Sequence, residues 1–301
     1  MEILKAHFAL FAVNLIYGAN YVIAKKIMPT YVEANAMIFL RVVGAATLFW
    51  ILFAFRYEKI AKKDMLLLAT CGLFGVAVNQ LFFFNGLQLT SSINSAIIMS
   101  TNPIITVILA LFILKEKVTW NRALGILVGG TGAILFIMNN STESISGDSV
   151  SGDIFIFINA ASYALYLVLA KPLMKKYKPL TVITWVFTFG LIYVSLFPLT
   201  FKEMSYVKWD FPTEIWWRIT FVIIAVTFLA YLLNIYALKR VSPAISSSYI
   251  YLQPVLATLF LFLFSWWGME DYTNSITFTK VLCTIAILAG VFLISLKTKK
   301  G

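Results

Sequence analysis

Residues 93–114 read INSAIIMSTNPIITVILALFIL. At about 1.5 Å of rise per residue this run is long enough to cross a bilayer as a helix, and Pro103 falls in its middle. A proline inside a helix cannot donate to the carbonyl four residues back, here that of Met99, and its ring presses on that carbonyl. Hydrocarbon offers the freed oxygen no partner, so this face is expected to look into protein or toward a watery cavity. Ser95, Met99, Asn102 and Thr106 are spaced four, three and four, which puts them on one stripe. The run therefore predicts a membrane helix with a polar, locally weakened face.

The pattern returns 151 residues later: Pro254 matches Pro103, Gln253 matches Asn102, Ser246 matches Ser95 and Leu238 matches Leu87. Glu270 matches Glu116 once three extra residues are allowed in the second copy. Near the start of each half, Tyr17, Ala24, Lys25 and Met28 align with Tyr163, Ala170, Lys171 and Met174 at an offset of 146. A repeat of half the chain is the main organising signal.

Working outward, ten apolar segments of bilayer length can be marked: 4–24, 34–55, 65–88, 93–114, 120–138, 153–174, 180–201, 215–238, 244–266 and 276–296. The first has no small-x-small cleavage site after it and is read as a retained span rather than a signal peptide. The expected fold is an all-α membrane protein of ten transmembrane helices. Residues 1–139 form one five-helix repeat, 140–152 a periplasmic linker and 153–301 the second repeat. Charged residues make up 12% of the 301, about half the usual share of a soluble domain, and this argues against a water-soluble fold. The net charge of +11 sits in short connectors, so the lipid bilayer explains it and no nucleic-acid partner is expected. Cys71 and Cys283 lie within apolar runs and His7 is the only histidine; no disulfide, metal site or cofactor is implied.

Lysine and arginine set the orientation. With the N-terminus in the cytoplasm, seventeen of the 24 fall on the inner side, six on the outer, and Arg41 inside span two. Both termini are then cytoplasmic. Five spans per half put the second copy upside down relative to the first. Inverted repeats meeting at mid-membrane are the architecture of alternating-access carriers.

Several short motifs in this order resemble a known family. Tyr17-Gly18-Ala19-Asn20-Tyr21 followed by Lys25, then Arg41, Gly86-Leu87 with Thr90-Ser91-Ser92, Asn102-Pro103, and Lys115-Glu116-Lys117-Val118-Thr119 before Gly125 to Gly132 resemble the repeat unit of EamA-type transporters of the drug/metabolite transporter (DMT) superfamily. The resemblance covers the whole chain. It implies a ten-helix transporter of the bacterial inner membrane, often an exporter of amino acids or other small metabolites. The second copy departs from the pattern, with Tyr163-Ala164-Leu165-Tyr166 in place of the aromatic-Gly opening and no arginine matching Arg41.

Candidate substrate-contacting residues are the polar and aromatic groups inside the spans. The first half contributes Asn14, Tyr17, Asn20, Arg41, Asn79, Ser95, Met99 and Asn102; the second contributes Tyr163, Tyr166, Trp185, Tyr231, Asn234, Ser247, Tyr251 and Gln253. Pro103 and Pro254 are candidate hinges. Amide and hydroxyl groups in membrane helices also serve as interhelical ties worth about 1 kcal/mol or less each. Together on several spans, with aromatic walls, they suit a small amphipathic molecule. Arg41 is the one charge deep in a span, about 10 Å past its outer edge by helix rise. It suits either a structural role, bound to helix-end carbonyls or reaching toward headgroups, or a substrate contact. Glu116 and Glu270 are expected to cap the helices that follow them. Gly125, Gly129 and Ala133, with Ala286 and Gly290, are spaced so that spans five and ten pack closely as scaffold.

No span carries a carboxylate near its middle, so a carboxylate proton relay has no carrier and downhill exchange is favoured. No catalytic constellation is present, and the chain is not expected to be an enzyme. The expected function is export of small neutral or zwitterionic metabolites, amino acids foremost, by a monomer. The alternatives are a carrier of nucleotide-sugars or sugar phosphates, which would need more cations than Arg41, and a non-transporting membrane scaffold.

Overall fold

In this computed structural model, residues 2–25, 27–89, 95, 98–117, 119–140, 150–266 and 278–296 are described. The Thr90-Ser91-Ser92 motif, Glu270 and most of the connector 140–152 lie outside them. Every regular element among the described residues is helical. Seven helices are long and apolar enough to cross a membrane: Glu2–Asn20, Ala34–Ala54, Lys62–Leu89, Val150–Lys176, Pro179–Leu196, Thr213–Leu238 and Pro243–Phe264. Asn102–Ile113 and Val281–Ile294 are shorter apolar helices, and Trp120–Asn140 is a further helix of 21 residues.

Large apolar side chains point outward from these helices as well as inward. Phe8, Leu66, Phe112 and Phe292 are all more than 60% exposed, a surface that water would penalise and hydrocarbon accepts. Inside, Phe49 packs on Phe187 and Phe228 at ring-centroid distances of 5.0 and 4.8 Å, in a core shared by helices from both ends of the chain.

The prolines do something other than bend a continuous helix. Pro103 stands in the first turn of the helix Asn102–Ile113, with Thr101 before it as N-cap, and Pro254 is second in the helix Gln253–Trp266, after the tighter 3₁₀ turn Tyr249–Leu252. At a helix start the missing N–H has no intrahelical acceptor to leave unpaired. The expected mid-helix kink at Pro103 is thus replaced by a fresh start at Asn102. Span seven also ends earlier than its apolar pattern suggests, at Leu196, because Pro198 opens a separate short helix, Pro198–Tyr206.

Two spans contain wide π-helical stretches, Leu73–Val78 within Lys62–Leu89 and Val222–Leu229 within Thr213–Leu238. A π turn takes carbonyls out of the regular ladder, and side chains meet them here. Ser162 Oγ donates to the Phe74 carbonyl at 3.0 Å, Asn159 Nδ2 to that of Asn79 at 2.6 Å, and Thr227 Oγ1 to that of Val222 at 2.7 Å.

The helices Trp120–Asn140 and Phe278–Ser295 pack backbone against backbone. A Cβ on Gly125 would lie 2.8 Å from the Gly290 carbonyl oxygen, and one on Gly132 would lie 2.9 Å from Ala286 Cβ. A Cβ on Gly290 would run into the Gly129 backbone, so the two main chains touch without intervening side chains. The expected carboxylate cap is absent at Glu116. Its carboxylate pairs with Arg122 at 3.1 Å, while Thr119 Oγ1 accepts from the Arg122 amide at the start of the helix. Gly290→Val should lower the unfolding midpoint in detergent, by about 1–3 kcal/mol of overpacking. A thermal melt followed by circular dichroism reads this directly, and an unchanged midpoint would show that the seam opens freely.

Candidate functional site

The spans converge on a chamber with about 780 Å³ of space between its lining atoms, open water at its mouth included. Its floor of polar groups comes from several helices at once. The helix Glu2–Lys25 turns Asn14, Tyr17 and Asn20 inward along with Leu10 and Val13. Arg41 enters from Ala34–Ala54, and Asn79, Gln80, Phe83 and Phe84 come from the turn after the first π stretch. Met99 reaches in just before the break at Asn102. From the second half come Asn159 and Tyr163, then Val226, Tyr231 and Asn234, then Ser246, Ile250 and Gln253.

Three small networks order the wall. Gln253 Nε2 donates to Asn14 Oδ1 at 2.9 Å, and Asn14 Nδ2 donates to the Leu10 carbonyl at 2.8 Å. Asn234 Nδ2 donates to the Tyr163 hydroxyl, and Ser246 Oγ donates to Asn234 Oδ1 at 2.9 Å. The Tyr231 hydroxyl lies 3.2 Å from Asn79 Oδ1 and 3.3 Å from the Gly75 carbonyl oxygen, both acceptors within reach of its one proton.

Arg41 is the one charged side chain that the described residues place in this wall. It is 4% exposed. Its Nε donates to Thr227 Oγ1 at 2.9 Å and its guanidinium carbon sits 4.7 Å from the centroid of the Phe84 ring. Among the described residues it makes no hydrogen bond to a helix-end carbonyl; its bond to Thr227 ties its helix to the second π stretch. Arg41 Nη1, Asn20 Oδ1 and Asn159 Oδ1 are buried without a hydrogen-bonding partner among the described residues.

Of the sequence-derived candidates, Asn14, Tyr17, Asn20, Arg41, Asn79, Met99, Tyr163, Tyr231, Asn234 and Gln253 therefore meet around one space. The structure does not bring the others to it. Asn102 is fully buried and donates to the Ala160 carbonyl at 2.6 Å, which makes it a tie between helices. Ser95 is fully buried outside this wall and Ser247 donates to the Ala244 carbonyl at 3.1 Å. Tyr166 fills the hollow left by Gly75, and the Tyr251 ring packs on Gly129 with its hydroxyl 3.5 Å from the Ile126 carbonyl oxygen. Trp185 stands edge-on to Trp50, 5.6 Å away, and is not part of the chamber wall. Gln80 and Asn159, polar groups that spans three and six also offer, line the chamber too, and so does Ser246, the repeat mate of Ser95, which its sequence position alone does not single out. The apolar wall residues carried no signal, since an inward Phe or Val reads like one facing lipid.

Comparison with known proteins fits this architecture. The family model described as "EamA-like transporter family" matches residues 4–138 and 150–296. The chain is 31% identical over 268 residues to YyaM of Bacillus subtilis (strain 168), named an uncharacterized transporter, covering 87% of each. It is 24% identical over 295 residues to an uncharacterized transporter of Archaeoglobus fulgidus, covering 97% of this chain and 98% of that one. A WAT1-related protein of Arabidopsis thaliana is 23% identical, with coverage of 93% and 82%. In fold, a crystal structure at 17% identity superposes with a TM-score of 0.76 over 96% of both chains.

Thr227→Val removes the acceptor for Arg41 Nε together with the donor to the Val222 carbonyl, and the expected loss of stability is about 1–3 kcal/mol. Thr227→Ser keeps both bonds and should melt close to the unaltered protein. Equal midpoints for Val and Ser would show that Arg41 is held by something other than this hydroxyl.

Proposed function

The chain belongs to the EamA-like transporter family and is a multi-pass membrane transporter, and from that premise we propose that it exports small neutral or zwitterionic metabolites, amino acids foremost, across the bacterial inner membrane. The observation that carries this reading is the chamber. Amide, hydroxyl and aromatic groups from both halves of the chain line one space, in a bundle whose outer surface is apolar. Sugar phosphates and nucleotide-sugars fit it less well, because a multiply charged phosphate calls for several cations and the described wall supplies Arg41 alone.

In this reading the ten spans form two inverted five-helix repeats, 1–139 and 153–301, joined by a periplasmic linker at 140–152, with both termini in the cytoplasm. Two features support it. The family model finds separate matches in the two halves. At the offset of 151 residues the π stretch Leu73–Val78 also falls on 224–229, inside the second π stretch, Val222–Leu229. Rocking of the two halves exposes the chamber to each side in turn, with the helix starts at Pro103 and Pro254 as the points of flexure. The protein works as a monomer, because the two halves that form the site are already joined.

Met99→Trp puts an indole into the chamber without deleting a polar tie. Cells producing it should lose, by tenfold or more, the growth protection that the unaltered protein gives against a panel of amino acids and their analogues. Ile108→Trp, on a side chain 49% exposed at the outer surface, should protect normally at equal membrane abundance. Full protection by the Met99 variant would move the solute path elsewhere. Topology has its own test. With Cys71 and Cys283 replaced by alanine, an impermeant maleimide should label Ser144→Cys from outside intact cells and leave Lys299→Cys untouched. Labelling of both from one side would cancel the inversion of the halves.

A further inference from the structure

The outstanding group in the chamber is a cation without a counter-ion. Arg41 is 4% exposed, yet it forms no ion pair with any carboxylate among the described residues, and none of the described acidic residues lines the chamber. Arg218, in a comparable state of burial, pairs with Glu214 at 2.7 Å. Ion pairing is thus available to buried arginines in this fold, and Arg41 is without it. Thr227 and the Phe84 ring engage Nε and the face of the guanidinium. Neither uses the outer edge, where Nη1 has no protein acceptor. A planar fork of N–H groups with a formal positive charge, fixed at its base and unsatisfied at its tip, is the complement of a carboxylate.

Two other unsatisfied groups in the same wall are of the opposite kind. Asn20 Oδ1 and Asn159 Oδ1 are buried carbonyl oxygens without partners among the described residues, neutral acceptors suited to N–H or O–H donors a short way along a ligand. Leu10, Val13, Phe83 and Ile250 supply apolar wall. We propose that Arg41 is the receptor for the substrate's carboxylate, so that the chamber takes small organic molecules ending in that group and rejects the matching amides, esters and amines. This rests on the carrier reading above and shifts it from neutral and zwitterionic metabolites to molecules that carry a carboxylate, amino acids and simple organic anions alike. One carboxylate balances the one guanidinium; a neutral ligand would leave a desolvated charge unmatched.

The test uses acid and amide pairs that differ at this group alone: leucine with leucinamide, phenylalanine with phenylalaninamide, and 4-methylpentanoate with 4-methylpentanamide. Chloride serves as an inorganic control. Binding to the purified full chain is read as a shift of the unfolding midpoint, and movement as uptake into proteoliposomes. At least one acid should bind and be transported, with its amide weaker by tenfold or more, the discrimination expected of a hydrogen bond to a charged group. Arg41→Gln should bring that acid down to the level of its amide, and Arg41→Lys should retain part of the preference. If the Gln variant does not fold, the acid-to-amide ratio of the unaltered protein decides by itself. Amides binding as well as acids, no acid binding at all, acid preference surviving in Arg41→Gln, or chloride competing away every acid effect at equal concentration would each overturn the proposal. Transport of amides, amines or sugars without acids would sink it and leave the carrier reading standing. Transport of no solute of any class would sink both.

Discussion

Hydrocarbon cannot hydrogen-bond to a peptide group, so every departure from the regular helix must be answered from within the protein. This constraint locates the irregular parts of the fold. The carbonyls of Phe74, Gly75 and Asn79 around the first π stretch meet Ser162, Tyr231 and Asn159 respectively. In the second stretch the Val222 carbonyl meets Thr227. Asn159, Tyr231 and Asn79 are chamber residues and Thr227 holds Arg41. Helix irregularity and polar site are one construction here: the groups that repair the broken ladders also shape the wall.

Seven of the spans were legible from the chain, because twenty-residue apolar runs are a strong signal. Asn14 and Tyr17 lie where a straight helix would put them. The π stretches left no such trace, since a wide turn changes which face a residue occupies without changing composition. They bear on Asn79 and Gln80, which follow directly after the first. Asn102 shows the opposite limit. It shares the stripe of Met99, but a fresh helix begins at Asn102 and its amide is drawn to the Ala160 carbonyl. Its repeat mate Gln253 reaches Asn14 in the chamber. Equivalent places in a repeat are not equivalent environments once the neighbouring helices differ.

Aromatic residues divide in the same way. Tyr166 and Tyr251 looked like wall residues by type and depth, yet each has a glycine opposite it that admits the ring into the packing. The glycine lies on another helix and no local pattern announces the pairing. Tyr163 and Tyr231 are met instead by Asn234 and Asn79, which keep their hydroxyls at the chamber. Whether a membrane tyrosine is core or site is decided by what stands across from it.

The seam between Trp120–Asn140 and Phe278–Ser295 bears on how such a bundle can change shape. Where side chains separate two helices, a small rotation is absorbed by switching rotamers. Main chain lying on main chain, as at Gly129 and Gly290, has no rotamers to switch. The contact acts as an axle bearing, stiff to separation and to tilt, and it joins a helix near the end of each half. The rocking of the halves proposed above would have to pivot along that line and could not pull it apart.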